Sequence, residues 1–257
     1  MVKDFTRRIT HTYKDYNNFN KRINKSKSKL SAIVDKKIYS TDILKYKEGL
    51  YSKPTKKQYV DENFIWEEYN KWGTTLIIGG VVLGFLLIIL KNGFSNGFSD
   101  GYVFAIIFLS IIILFFIIYS ITQPKKEQIL NRKDGLITMT GFFWQKNITM
   151  SFSDVIFVFS TEGQDLGGNF QLMALRPTMG TDMFELTGDS YITMSFITWY
   201  MDKNRPLPPG TAFDRFRTQD FERRKAERFP KPLYPSNIKT PEATKSQQAE
   251  RNRIGGW

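Results

Sequence analysis

Trp72-Gly-Thr-Thr-Leu-Ile-Ile-Gly-Gly-Val-Val-Leu-Gly-Phe-Leu-Leu-Ile-Ile-Leu90 is a stretch of 19 residues without a charge, and a second such run, Tyr102–Ile121, begins after eleven intervening residues. Fifteen of the twenty residues in the second run are Ile, Leu, Val or Phe. A hydrocarbon core about 30 Å thick takes roughly 20 residues of helix to cross. The competing reading, a helix buried in a soluble protein, needs a large core around it. The 218 residues outside the runs are split by the runs themselves and by polar stretches, so they cannot supply one. The sequence therefore reads as a membrane α-helical hairpin over 72–121, with spans at 72–90 and 102–121 and a loop at 91–101. Neither run is a signal peptide, because the first begins only after 71 residues. Trp72, Tyr102 and Tyr119 sit near run ends, where amphipathic rings favour the headgroup layer.

Charge sets the expected orientation. Residues 1–71 hold 17 Lys/Arg against 9 Asp/Glu, and residues 122–257 hold 19 against 15, whereas the loop holds only Lys91 and Asp100. Lys71, Lys125, Lys126, Arg132 and Lys133 lie close to the spans, and positive charge stays in the cytosol. Both termini are expected inside a bacterial inner membrane, with the loop outside. Gly80 and Gly84 form a small-xxx-small pair that would let another helix pack closely, although glycine is common in membrane helices anyway. No Asp, Glu, Lys, Arg or His lies within either run, which argues against a proton relay, an ion-coupled carrier or a voltage sensor. An anchor is the simplest use of two such helices.

Before the hairpin, residues 1–71 read as a basic cytosolic segment. Phe5, Ile9, Tyr13, Tyr16 and Phe19 follow one another at spacings of 4, 4, 3 and 3, which predicts an amphipathic helix. That helix would either dock onto the cytosolic domain or lie on anionic lipid. Lys21, Arg22, Lys25, Lys27 and Lys29 then make a basic linker, solvated or drawn to the leaflet.

Beyond Pro124 the pattern changes to a small α+β cytosolic domain over 125–204. Two short strands flank Asp134-Gly135, a favoured hairpin turn. Asn147–Met150, Val155–Phe159 (as a central strand), Gln171–Leu175 and Met183–Thr187 follow, so about six strands predict one antiparallel, strongly curved sheet. Tyr191, Met194, Ile197 and Tyr200, widened by Phe196 and Trp199, predict a closing helix, an arrangement that suits a small core. Periodicity does not separate this from an irregular barrel. Residues 205–257 form a C-terminal extension with seven of the ten prolines, a helix candidate at Ala212–Arg228 and another at Glu242–Arg253. Disordered tails rarely carry so many large rings. Phe213, Phe216, Phe221, Tyr234 and Trp257 are therefore expected either to dock the extension onto the domain or to receive a partner.

The composition excludes much chemistry. There is no Cys and a single His, His11, which removes disulfides, thiolate metal sites and most His-based catalysis. Gly93-Phe-Ser-Asn-Gly97 fits the nucleophile-elbow pattern but lacks the strand, the helix and a later His that the chemistry needs. No phosphate-binding or dinucleotide loop is present. Asp154, Glu162, Asp165, Asp182, Glu185 and Asp189 lie in or beside predicted turns, where solvated carboxylates are ordinary. No cofactor and no metal are expected. The net charge of +12 is divided between a membrane-proximal linker and a mixed-charge tail, and no nucleic-acid-binding module is recognisable.

At Trp199-Tyr-Met-Asp-Lys-Asn-Arg-Pro-Leu-Pro208, with Arg132-Lys-Asp-Gly-Leu-Ile137 and Trp144, the chain resembles a family of bacterial two-pass inner-membrane proteins. Phe221–Ile238, Thr240–Thr244 and Ile254-Gly-Gly-Trp257 extend the likeness, which covers about residues 72–257. That resemblance implies two adjacent spans, a small β-rich cytosolic domain similar to the pleckstrin-homology type, and genes beside type VI secretion loci. Fold-level likeness of that kind implies protein or lipid contact and says little about turnover. The expected function is a non-catalytic membrane-anchored protein-binding protein, of the immunity or effector-associated kind. The alternative is a structural or assembly subunit of a membrane complex. The expected partners are membrane lipid, a toxin effector or complex subunit, and a second copy of the chain.

Overall fold

A helix with Ile, Leu and Phe on every side has no polar face to turn toward water, and two helices of the computed structural model have this character. The structure describes residues 3–16, 32–33, 36–38, 56–69, 73–160, 171–183 and 189–257. These fall into two compact units, one of 68–126 with 141–146, the other of the remaining residues.

In the helical unit, α1 (Gly73–Asn96) and α2 (Asp100–Thr122) form an antiparallel pair. Both are long and apolar enough to cross a membrane. The less exposed positions of α1 are Gly79, Val82, Leu86, Ile89, Leu90 and Gly93; those of α2 recur from Tyr102 through Leu109 and Phe116. Alternating steps of three and four give each helix one seam facing its neighbour. The remaining faces hold exposed Ile77, Phe85, Phe104 and Ile111. The eleven-residue loop expected at 91–101 shrinks to Gly97-Phe98-Ser99. Asn and Ser change the polarity of Lys91–Asn96 without breaking the helix, and the break comes at Gly97, whose φ of 85° is left-handed and costs glycine little. Gly93 has no Cβ because the Phe98 ring occupies that space.

The other unit contains two antiparallel sheets where one curved sheet was expected. The first has five strands in sequence order: β2 (Gln58–Val60), β3 (Phe64–Glu68), β4 (Glu127–Asn131), β5 (Leu136–Met139) and β6 (Ile148–Ser151). The second runs β1-β7-β8-β9, from Ala32–Ile33 through Phe157–Ser160 and Gln171–Leu175 to Thr181–Met183. Within it β7 is an inner strand, paired on both sides. The expected strand at Met183–Thr187 starts earlier, at Thr181, and its residues 184–187 lie outside the described residues. Asp134 and Gly135 make the β4–β5 turn, with Asn131 Nδ2 donating to Asp134 Oδ2 at 2.8 Å and Gly135 at φ 68°.

The largest correction concerns the N-terminal segment. Residues 1–71 are not a separate basic arm, because Gln58–Glu68 supplies two strands of the first sheet. Asp61 turns them: its Oδ1 accepts from Asn63 N at 2.8 Å and Phe64 N at 2.6 Å, an Asx turn that an isolated Asp does not advertise. The helical hairpin is thus an insertion between two neighbouring strands, β3 and β4. The amphipathic helix expected at the N-terminus also fails to form. Residues 3–12 form neither helix nor strand, and only Tyr13–Tyr16 coils, as a 3-10 turn. Thr6, Thr10 and Thr12 disfavour helix, and Thr10 N finds Thr149 O on the edge of β6 at 2.9 Å. Phe5 stacks on Trp66 at 5.1 Å, and Tyr16 is fully buried with its hydroxyl donating to Leu175 O at 2.8 Å. Phe19 and the basic linker lie outside the described residues.

Helix α3 (Ser190–Met201) is started by Asp189, whose Oδ1 accepts from Tyr191 N at 2.8 Å and Ile192 N at 3.0 Å, a standard N-cap. Phe196, Trp199 and Tyr200 are buried in the main core with residues of both sheets, and Trp199 Nε1 donates to Pro206 O at 2.7 Å. Thr211–Phe216 is a 3-10 turn leading into α4 (Arg217–Ala226), and α5 is Lys245–Gly255.

Candidate functional site

The C-terminal extension is held to this unit by charge as well as by rings. Asp202 ends α3 with its Oδ2 accepting from Arg205 Nε at 3.0 Å, Leu233 N at 2.9 Å and Tyr234 N at 3.2 Å. Arg205 continues to Thr240 Oγ1 at 2.9 Å and Tyr234 O at 2.8 Å. Arg132, from the β4–β5 turn, donates to Asp220 Oδ1 and to Arg205 O, both at 2.6 Å. Asp220 Oδ2 accepts from Arg224 Nε at 2.9 Å. Arg224 then grips Glu242 with both terminal nitrogens at 2.8 Å, and Arg251 Nη1 reaches Glu242 Oε1 at 3.0 Å.

Nearly all of this is out of water: Arg224 is 1% exposed and Asp220 2%. Burial pushes the Asp220 carboxyl up, but Arg132, Arg224 and Arg223 outweigh it and hold it below the usual carboxylate range. Burial likewise works against the Arg224 cation, and Glu242 with Asp220 reverses the effect. Burial lowers Arg205 and Arg251 from their ordinary values. Arginines outnumber the three carboxylates Asp202, Asp220 and Glu242 in this cluster, and the planar fork of arginine is the group suited to such paired recognition. The carboxylate oxygens are taken up by arginine and backbone N–H groups, so the cluster is built to hold the extension in place. Beside it opens a concavity of about 650 Å³, lined by Arg205, Lys239, Gln248, Arg251 and Trp257 among others. Arg251 lies 4.3 Å over the Trp257 ring.

Each residue singled out in the extension makes contacts within this unit. Phe213 is fully buried, its ring 5.7 Å from Tyr200 and 6.3 Å from Phe196. Phe216 is half-buried against the same core. Phe221 packs on buried Phe229 at 5.3 Å, and Tyr234 meets Phe152 edge-on at 5.2 Å. Trp257 is half-buried and donates from Nε1 to Phe229 O at 2.9 Å. Gly80 and Gly84 are different. A Cβ built on either meets nothing within 4 Å, and both lie off the α1–α2 seam, so no described helix packs on them.

The charged cluster itself was not foreseen. Asp220 and Arg224 stand four apart on a helix, a spacing as common on solvated faces as in buried ones. Asp182, expected in a solvated turn, is buried instead. Its carboxylate accepts from Thr140 N at 2.7 Å and Thr140 Oγ1 at 2.8 Å and pairs with Arg176 at 3.2 Å. Asp154 accepts from Tyr13 N at 3.3 Å, while Glu162, Asp165 and Glu185 lie outside the described residues. Ser95 sits in the last turn of α1, without the strand–turn–helix frame of a nucleophile elbow. Among the described residues no group of three or more His, Cys, Asp or Glu side chains could hold a metal ion. No protein-family model, curated protein or solved structure matches this chain.

Proposed function

We propose that the chain is a non-catalytic binding protein anchored in the bacterial inner membrane by α1 and α2, with the sheet-containing unit and both termini in the cytosol. The observation that carries this reading is the insertion of two long apolar helices, charged only at Lys91 and Asp100 beside their connection, between adjacent strands β3 and β4. Chain that leaves one strand for its antiparallel neighbour must return to the same end of the sheet, which requires an even number of crossings. The positive charge flanking the helices supports a cytosolic placement. The likeness to two-pass proteins encoded beside type VI secretion genes favours an immunity or effector-associated role, with a toxin as partner. The pleckstrin-homology-like character of the β-rich part fits protein or lipid contact.

A second reading, a structural or assembly subunit of a membrane complex, is favoured by Gly80 and Gly84. Their open face on α1 suits a close-packed helix from another subunit or another copy. One experiment separates the two. A photo-crosslinking residue is placed at exposed Lys239, beside the concavity, and another at Gly84, in native membranes. Capture of a soluble toxin at Lys239 supports the first reading, and capture of a membrane protein at Gly84 supports the second. If neither position captures a protein in cells carrying the native locus, the binding-protein reading fails.

A further inference from the structure

The connection between β5 and β6 does not stay with its sheet. Residues 141–146 belong to the helical unit, and they carry Phe142-Phe143-Trp144. The Trp144 ring meets Tyr119 edge-on at 5.0 Å and Phe115 at 5.7 Å, and the Phe143 ring lies 5.5 Å from Tyr119. Trp144 Nε1 donates to Thr122 Oγ1 in the last turn of α2 at 2.8 Å. Lys126 fastens the base of the loop, its Nζ donating to Gly141 O at 2.7 Å and Gln145 O at 2.6 Å. The space a Cβ would take at Gly141 is already filled by the carbonyls of Gln145 and Lys146, so the loop closes too tightly there for any other residue. Phe143 is held at φ 44°, a left-handed conformation that a bulky residue adopts only under constraint.

For all this fastening, the two outer rings are left bare: Phe143 is 42% exposed and Trp144 44%. A soluble loop under such constraint would be expected to bury its rings. The Trp144 ring lies against exposed Phe115, on a helix whose Ile118 and Ile121 are exposed as well, the surface that faces lipid if α2 crosses a membrane. Lys146 in the same loop is exposed as well. Aromatic rings beside a lysine at the end of an apolar helix match the chemistry of the headgroup layer.

From this geometry we infer that the Phe142–Trp144 loop is a membrane-interface anchor, a third point of lipid contact that seats Phe143 and Trp144 among the headgroups of the cytosolic leaflet. The inference rests on the membrane-spanning reading of α2, and its test keeps the two apart. The chain has no Cys, so a nitroxide label can be placed singly, at Phe143→Cys, at Ile111→Cys midway along α2, or at Ser246→Cys, an exposed position of α5. The full chain is reconstituted in phosphatidylethanolamine–phosphatidylglycerol vesicles, and collision of each label with oxygen and with a water-soluble nickel chelate is measured. The expected oxygen-to-nickel ratio is highest at Ile111, lowest at Ser246 and intermediate at Phe143. If Ile111 gives the deep value while Phe143 matches Ser246, the loop lies in water and the anchor is refuted with the span intact. A Phe143 label that is immobilised and reached by neither reagent would show protein covering the loop, which also refutes it. A water-exposed Ile111 removes the span and the anchor together.

Discussion

The helical pair and the C-terminal extension treat water in opposite ways. On α1 and α2 the apolar side chains point outward, with Ile77 70% exposed and Phe104 72%. In the extension the charges point inward, with Arg224, Asp220 and Glu242 buried among rings and prolines. Burying ionised groups is costly unless each is fully paired, and exposing continuous apolar surface is costly unless lipid receives it. The extension therefore depends on internal partners, and the apolar surface of the helical pair calls for a solvent other than water. Substitutions that interchange these environments should expose the difference.

The largest effect is expected in the extension. Arg224→Met removes the donor that joins Asp220 to Glu242 and leaves two carboxylates buried and under-paired. Losing one partner of a buried pair typically costs about 3–5 kcal/mol, so denaturant titration of the purified chain should show the sheet-containing unit strongly destabilised. A shift of less than about 1 kcal/mol, within the range of exposed pairs, would mean that the cluster is solvated. Asp220 makes the same point through pH. Its folded carboxyl lies below the ordinary value, so its stabilisation is fully present above about pH 4 and is lost as pH falls through the depressed value. In Arg224→Met the acid-induced loss should begin at a higher pH than in wild type.

Trp199→Ala is expected to rank close behind. The ring is 1% exposed and its N–H is bonded to Pro206 O, and truncating a large buried aromatic costs about 3–5 kcal/mol. Thermal melting followed by circular dichroism should register this, and a variant melting with wild type would place the ring outside the core.

These two sites differ in how well the sequence announces them. Trp199 falls on a helical face with Phe196 and Tyr200, and apolar periodicity marks such a core. The two long apolar helices, the Asp134-Gly135 turn and α3 were legible for the same reason: each depends on near neighbours in the chain. Arg132, Arg224 and Glu242 come together from a turn, a helix and a proline-rich stretch, and no local pattern separates a buried arginine from a solvated one. Strand β3 was missed because its pairing with β4 spans the whole hairpin, and β2 because its turn into β3 rests on the single Asp61. The N-terminal stripe of Phe5, Ile9, Tyr13 and Tyr16 has helical spacing, yet its threonines and the open edge of β6 keep the backbone out of a helix.

Ile111→Arg, by contrast, tests the helical pair. Ile111 is 60% exposed, so in water the change should be harmless or solubilising. At the centre of a span it should cost about 2.5–3.5 kcal/mol of insertion free energy, seen as a reduced inserted fraction on carbonate extraction of membranes. Unchanged membrane retention together with improved solubility would mark α2 as a helix exposed to water.

The smallest effect should come from Glu62, beside the Asp61 turn. Burial, with Asp61 and Asp220 nearby, raises its carboxyl above the ordinary value, and its Oε2 has no hydrogen-bond partner. A carboxyl raised in this way favours folding below its unfolded value and loses that contribution as pH rises through the folded one. Glu62→Gln should therefore stabilise slightly at pH 7, and the gain should vanish toward pH 4 in parallel melts. A destabilised variant at pH 7 would show the charge to be favourably placed.

Crossing of the bilayer by α1 and α2 as a pair is tested most directly by a single labelling experiment. Ser99 lies in the three-residue connection and makes no side-chain cap bond to α2, so Ser99→Cys should leave the fold unchanged; Ser246→Cys reports on the C-terminal helix. Treated with a membrane-impermeant maleimide, intact spheroplasts should label the Ser99→Cys protein and spare Ser246→Cys until the membrane is broken. Labelling of Ser246→Cys alone would invert the orientation, and equal labelling of both, or of neither, in intact cells would contradict a spanning hairpin.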